Sequence, residues 1–147
     1  ANERAFSGSS LTAKHSRACE LRLTVDPHSA KHLCLHMAES EGEAFKIEYD
    51  VERQVLRTDR SIAGYPMGKN GTPEEKPYRE AILPLKDGKL DLRIFLDTSS
   101  IEVFAADGTV SMSALFFPRG SADRLSVSSD DGSASFSLTI WDIIAKE

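Results

Sequence analysis

Asp97 and Glu102 flank the bend Thr98-Ser99-Ser100, and two carboxylates about 5 Å or more apart are what a glycosidase needs as nucleophile and acid/base. That is the sharpest chemistry the residues offer. His32 and His36, four apart, with His28 nearby, could approach a metal, but Leu33, Leu35 and Met37 alternate around them as in a strand and no carboxylate third ligand is evident. They read as solvated histidines. Asp107, Asp130 and Asp131 have the oxygens calcium takes, yet each belongs to an Asp-Gly or Asp-Asp-Gly turn that already accounts for aspartate there. No metal and no cofactor is expected, and the many serines have no positioned histidine and acid. Stacking on sugar rings falls to exposed aromatics: Tyr65 and Tyr78 lie in an irregular stretch and Trp141 is out of phase with Phe136, Leu138 and Ile140, whereas Tyr49 is in phase with a buried strand face.

The elements that must hold these residues are strands. Cys19, Leu21, Leu23 and Val25 alternate with polar residues; so do Phe45, Ile47, Tyr49 and Val51, and Leu90, Leu92, Ile94 and Leu96. Ile101, Val103 and Ala105 lead into Asp107-Gly108, and Val110, Met112, Ala114 and Phe116 lead away, as a hairpin closed at a positive-φ turn would. Lys86-Asp87-Gly88-Lys89 and Asp130-Asp131-Gly132 provide turn chemistry at two further places, and Ala134, Phe136, Leu138 and Ile140 mark the last strand. No segment carries an apolar stripe at helical spacing. Short strands divided by turns predict an all-β fold, a two-sheet antiparallel β-sandwich of concanavalin/lectin-like architecture. Ser61 to Glu80 holds Gly64, Pro66, Gly68, Asn70-Gly71, Pro73 and Pro77 and reads as a long surface loop.

The chain has 147 residues, enough for one domain with its own core. Residues 1–18 are polar and read as a linker remnant, leaving 19–147 as the sandwich module. With 28% charged residues and a net charge of −5 it should fold and should repel polyphosphate, so nucleic acid is not an expected partner. No apolar run is long enough to span a membrane, and the first residues lack the apolar stretch of a signal peptide. Cys19 and Cys34 read as small buried thiols rather than a bridge. Location is left open: Asn70-Gly71-Thr72 is a glycosylation acceptor, while two unbridged cysteines suit a reducing compartment.

The run Leu92-Arg93-Ile94-Phe95-Leu96-Asp97-Thr98-Ser99-Ser100-Ile101-Glu102-Val103-Phe104, then Asp107-Gly108 and Phe116-Phe117-Pro118, resembles the signature of the C-terminal domain of glycoside hydrolase family 32. Asp59-Arg60-Ser61 with Gly64 resembles the segment that precedes it, in the same order. That family comprises invertases, levanases, inulinases and sucrose-6-phosphate hydrolases. The resemblance implies a non-catalytic module packed against a five-bladed propeller, stabilising it, with dimerisation among its further roles. It places the catalytic groups on that propeller in Asn-Asp-Pro, Arg-Asp-Pro and Glu-Cys motifs, none of which occurs here. Asp97 and Glu102 then become architectural, together with Asp59, Arg60, Ser61 and Ser99. The bend's hydroxyls can bond open backbone groups, and the Arg60 fork is expected on Asp97 or Glu102. The alternative is a fructan-binding module using Tyr65, Tyr78 or Trp141.

Overall fold

The computed structural model describes residues 2–105 and 107–143. Twelve strands follow in chain order: β1 Asn2–Gly8, β2 Leu11–Lys14, β3 Cys19–Asp26, β4 His32–Ser40, β5 Glu43–Asp50 and β6 Val55–Asp59, then β7 Tyr78–Ile82, β8 Leu90–Asp97, β9 Ser100–Ala105, β10 Ser111–Leu115, β11 Arg124–Ser129 and β12 Ser135–Asp142. Sheet A has the order β1-β12-β3-β8-β9-β10 and sheet B the order β2-β11-β4-β5-β6-β7. Every pairing is antiparallel. Among the described residues the one helical element is a 3-10 turn, Lys69–Gly71. The expected sandwich is thus the observed one.

Its core follows from period two. Leu21, Leu23, Leu92, Ile94, Val103, Leu138 and Ile140 of sheet A face Leu35, Met37, Phe45, Ile47, Tyr49, Leu56 and Leu125 of sheet B, all buried. Each side chain of this size contributes about 1.5–3 kcal/mol by leaving water. The Tyr49 hydroxyl donates to Leu83 O at 2.6 Å, so the one polar atom of that buried ring is satisfied. Asp87 and Gly88 take φ of 52° and 74° between the Lys86–Lys89 bridge, the left-handed pair that a two-residue hairpin turn demands.

Two expectations need correction. Within residues 1–18, expected as a linker remnant, the described part holds two strands: β1 closes the β12 edge of sheet A and β2 the β11 edge of sheet B. Their inward positions are Arg4, Phe6, Leu11 and Ala13, and the Ser7-Gly8-Ser9-Ser10 stretch where the chain changes sheets made the segment look structureless. The loop after Ser61 stops earlier than expected, because Tyr78–Ile82 pairs with β6 as an edge strand. Edge strands need only one partner, which tolerates the preceding Pro77.

Candidate functional site

The signature residues meet at one corner, where the two sheets are tied together. Asp59, at the end of β6, accepts Ser61 N at 2.8 Å and turns the chain out of sheet B. Arg60 then reaches across to sheet A: Nη1 donates to Leu115 O at 2.6 Å, while Nε and Nη2 bond Glu74 at 3.1 and 2.5 Å. The bidentate fork holds both ends of the 60–77 loop and one strand of the opposite sheet. Five residues after Arg60, Tyr65 N donates to Phe117 O at 3.0 Å. That approach is why position 64 is glycine: a Cβ there would lie 2.0 Å from Phe117 O, and its φ is +135°. Phe116 turns inward onto Phe45, ring centroids 5.0 Å apart, and its N–H donates to Ser99 O at 3.0 Å.

Arg60 therefore pairs with neither Asp97 nor Glu102, contrary to expectation. Both carboxylates occupy solvent-phase positions on the outer face of sheet A, whereas Arg60 comes from sheet B and finds a backbone carbonyl of the edge strand instead. Asp97 accepts its neighbour's amide, Thr98 N, at 2.9 Å. Arg60 and Glu102 do line one cleft of about 510 Å³ between β7 and β10, with Phe45, Lys76, Arg79 and Leu115. Among the described residues the hydroxyls of Thr98, Ser99 and Ser100 bond no backbone group; Ser99 serves through its carbonyl.

The aromatic candidates are scattered. Tyr65 is 59% exposed, but the Arg119 guanidinium lies 5.0 Å from its ring centre. The Tyr78 ring, on the outer face of sheet B, has Arg57 4.0 Å above it. Trp141 points outward from sheet A, as its phase indicated, between Glu3 and Glu20 on neighbouring strands. Sequence reasoning passed over Phe95 and Phe104, which also occupy solvent-phase positions of sheet A and pack edge to face at 5.8 Å. Their signal was present: large aromatics out of step with Ile94 and Val103.

The remaining candidates serve structure. Asp107 accepts the Thr109 hydroxyl and amide, and Asp131 those of Ser133 together with the Ser29 hydroxyl; these bonds hold both carboxyls below the usual range. Asp130 takes the amides of Lys31 and Asp131. His28 bonds Ser135 Oγ at 3.0 Å and His36 meets Glu39 at 3.3 Å. Cys19 and Cys34 are free and lie in different sheets, with burial pushing their thiols up to about 12 and about 11. His15, placed by sequence in the linker, is buried: its Nε2 accepts Ala38 N at 3.0 Å and its Nδ1 lies 2.8 Å from Ser16 O, which fixes the tautomer.

A two-sheet antiparallel β-sandwich is the class this architecture defines. The fold superposes on exo-inulinase from Aspergillus awamori with a TM-score of 0.80 at 23% identity, covering 98% of this chain and 29% of that one. Sucrose-6-phosphate hydrolase from Lactobacillus gasseri gives 0.75 at 24%, covering 98% and 28%. The model for Glycosyl hydrolases family 32 C terminal matches residues 2–142, and the chain belongs to that family. Raffinose invertase of Escherichia coli is 33% identical over 91% of this chain and 26% of its own length. Levanase of Bacillus subtilis (strain 168) is 34% identical over 79% and 17%. The chain spans about a quarter or less of the curated relatives it matches. It corresponds to the C-terminal domain of these hydrolases, distinct from the domain that holds their catalytic residues, and this fragment alone is not catalytic.

Proposed function

We propose that this domain stabilises the catalytic domain of a β-fructofuranosidase-type hydrolase acting on sucrose or fructans, by packing against it. The observation that carries the reading is the apolar surface at the signature corner. Tyr65, Leu115 and Phe117, each at least 40% exposed, are brought to this corner by the Arg60–Leu115 and Tyr65–Phe117 bonds, and Ile62, exposed as well, lies on the same loop between Arg60 and Tyr65. Only two other large apolar side chains among the described residues, Ile82 and Ile143, are comparably exposed. An apolar patch held on a rigid corner fits burial against another domain. Sugar stacking has less support, since Arg119 lies over Tyr65 and Arg57 over Tyr78.

Removing the domain from its parent hydrolase should speed thermal inactivation of sucrose or levan hydrolysis by about tenfold or more, while the isolated domain hydrolyses neither. Unchanged inactivation on removal would refute the reading.

A further inference from the structure

We propose that the outer face of sheet A is the seat of the catalytic domain, and that the partner meets it with cationic side chains set around an apolar centre. The inference rests on the stabilising role proposed above and names the surface that performs it.

Strand register carries the argument. Glu3, Trp141, Glu20, Phe95, Glu102 and Ser113 fall in one row across all six strands, and Ala5, Thr139, Arg22, Arg93, Phe104 and Ser111 in the next. Carboxylates thus alternate with aromatics along the first row, Trp141 and Phe95 standing about 10 Å apart at two strand spacings. Arg22 is held by Asp91 at 2.8 Å and Arg93 lies 3.6 Å from Glu20. Among the described residues Glu3 and Glu102 form no ion pair, although Glu102 shares its cleft with Arg60, Lys76 and Arg79, and with Glu20 they give the face a row of carboxylates beside its aromatics. Interfaces concentrate aromatics at their centre and oppose charge with charge.

The size also fits. Six strands by three alternate residues give roughly 24 by 14 Å, about 340 Å² a side, and interdomain contacts bury roughly 300–750 Å² a side. Apolar surface then continues around the β10 edge, since Leu115 shares this face with Ser100 and Asp97 and leads to Phe117 and Tyr65. A linear sugar chain would need flat, open rings; Phe95 and Phe104 are half-buried and edge to face. Sheet B is different on its outer side. Its central rows read Ser126, His36, Lys46, Asp59, Tyr78 and Ser128, Cys34, Glu48, Arg57, Glu80, with Arg57 and Glu80 paired at 3.1 Å.

The test places Phe95→Ser, Phe104→Ser, Trp141→Ser and Glu102→Arg in the parent hydrolase and in the isolated domain, with Glu48→Lys and Tyr78→Ser on sheet B as controls. The sheet A variants should speed inactivation of the parent about tenfold and open the interdomain segment to protease, while shifting the isolated domain's melting midpoint by no more than about 2 °C. Glu102→Arg should exceed Glu102→Gln. Sheet A variants that are silent in the parent, or sheet B controls with equal effect, would overturn the assignment. So would a concentration-dependent dimer of the isolated domain abolished by Phe104→Ser, or binding of inulin or levan lost in Trp141→Ser with parent stability intact. If deleting the whole domain has no effect, the stabilising role itself falls; if deletion destabilises but these variants do not, only the assigned face falls.

Discussion

The sandwich has two open sides, and the polar links that close them differ in kind. Beside β7 and β10 the links are forked arginines and a backbone bond: Arg60 leaves sheet B, forks onto Glu74 and bonds Leu115 O of sheet A, Tyr65 N meets Phe117 O beside it, and Arg119, after β10, forks onto Glu43 at the start of β5. Beside β1 and β2 it is shared. Arg4 of sheet A donates to Lys14 O of sheet B at 2.8 Å and pairs with Asp142 at 2.7 Å, Asp142 accepts the Ser16 amide and hydroxyl, and His15 supports the bulge at Ala38. The first side joins short sequence motifs, the second joins residues from the two ends of the chain. A sandwich can thus close its side either with forked cations or with several partial bonds, and the two should fail differently.

Gly64→Ala should break the comparison most severely. Its methyl has no room against Phe117 O and its backbone conformation disfavours any side chain, so a loss of about 4 kcal/mol is expected in urea unfolding. A loss below about 1 kcal/mol would show that the corner yields. Arg60→Ala should cost about 2–3 kcal/mol, because Glu74 and the Leu115 carbonyl both lose a charged partner; Arg60→Lys should recover less than half, lacking the fork.

On the other side the losses should be smaller because they are divided. His15→Ala leaves the Ala38 amide without its acceptor in a buried site and should cost about 2 kcal/mol. Asp142→Asn should cost about 1–2 kcal/mol at neutral pH and change the acid limb. Burial raises the Asp142 carboxyl, but the Ser16 bonds and Arg4 together outweigh it and hold it below the ordinary range. A carboxyl depressed on folding contributes its stability above the unfolded value, about 3.9, and loses it as pH falls through the lower folded one. Asp142→Asn should therefore flatten the fall in stability below about pH 4, measured by urea titration at stepped pH. An unchanged acid limb would remove Asp142 from that side's closure.

How legible each side was follows from distance along the chain. Asp59-Arg60-Ser61 and Gly64 stood out as a motif, but Glu74 and the Leu115 carbonyl did not, since an arginine's partner depends on where a loop returns. His15 and Ser16 looked like linker because their meaning lies in Ala38 and Asp142, and Ser16 and Asp142 are separated by 126 positions. The outward aromatics were readable in part: Trp141 was placed correctly by phase, and the same test applied to Phe95 and Phe104 would have found them.

The sequence by itself determined the all-β class, the inward face of the central strands and the sites of the Asp-Gly turns. Alternation and turn conformation are properties of a few adjacent residues, so they are written locally. Tertiary structure alone decided that residues 2–14 complete both sheets, that Arg60 binds Glu74 and not Asp97 or Glu102, and that carboxylates and aromatics line up across six strands. Those arrangements arise from register between segments far apart in the chain, and register is set when the strands pack.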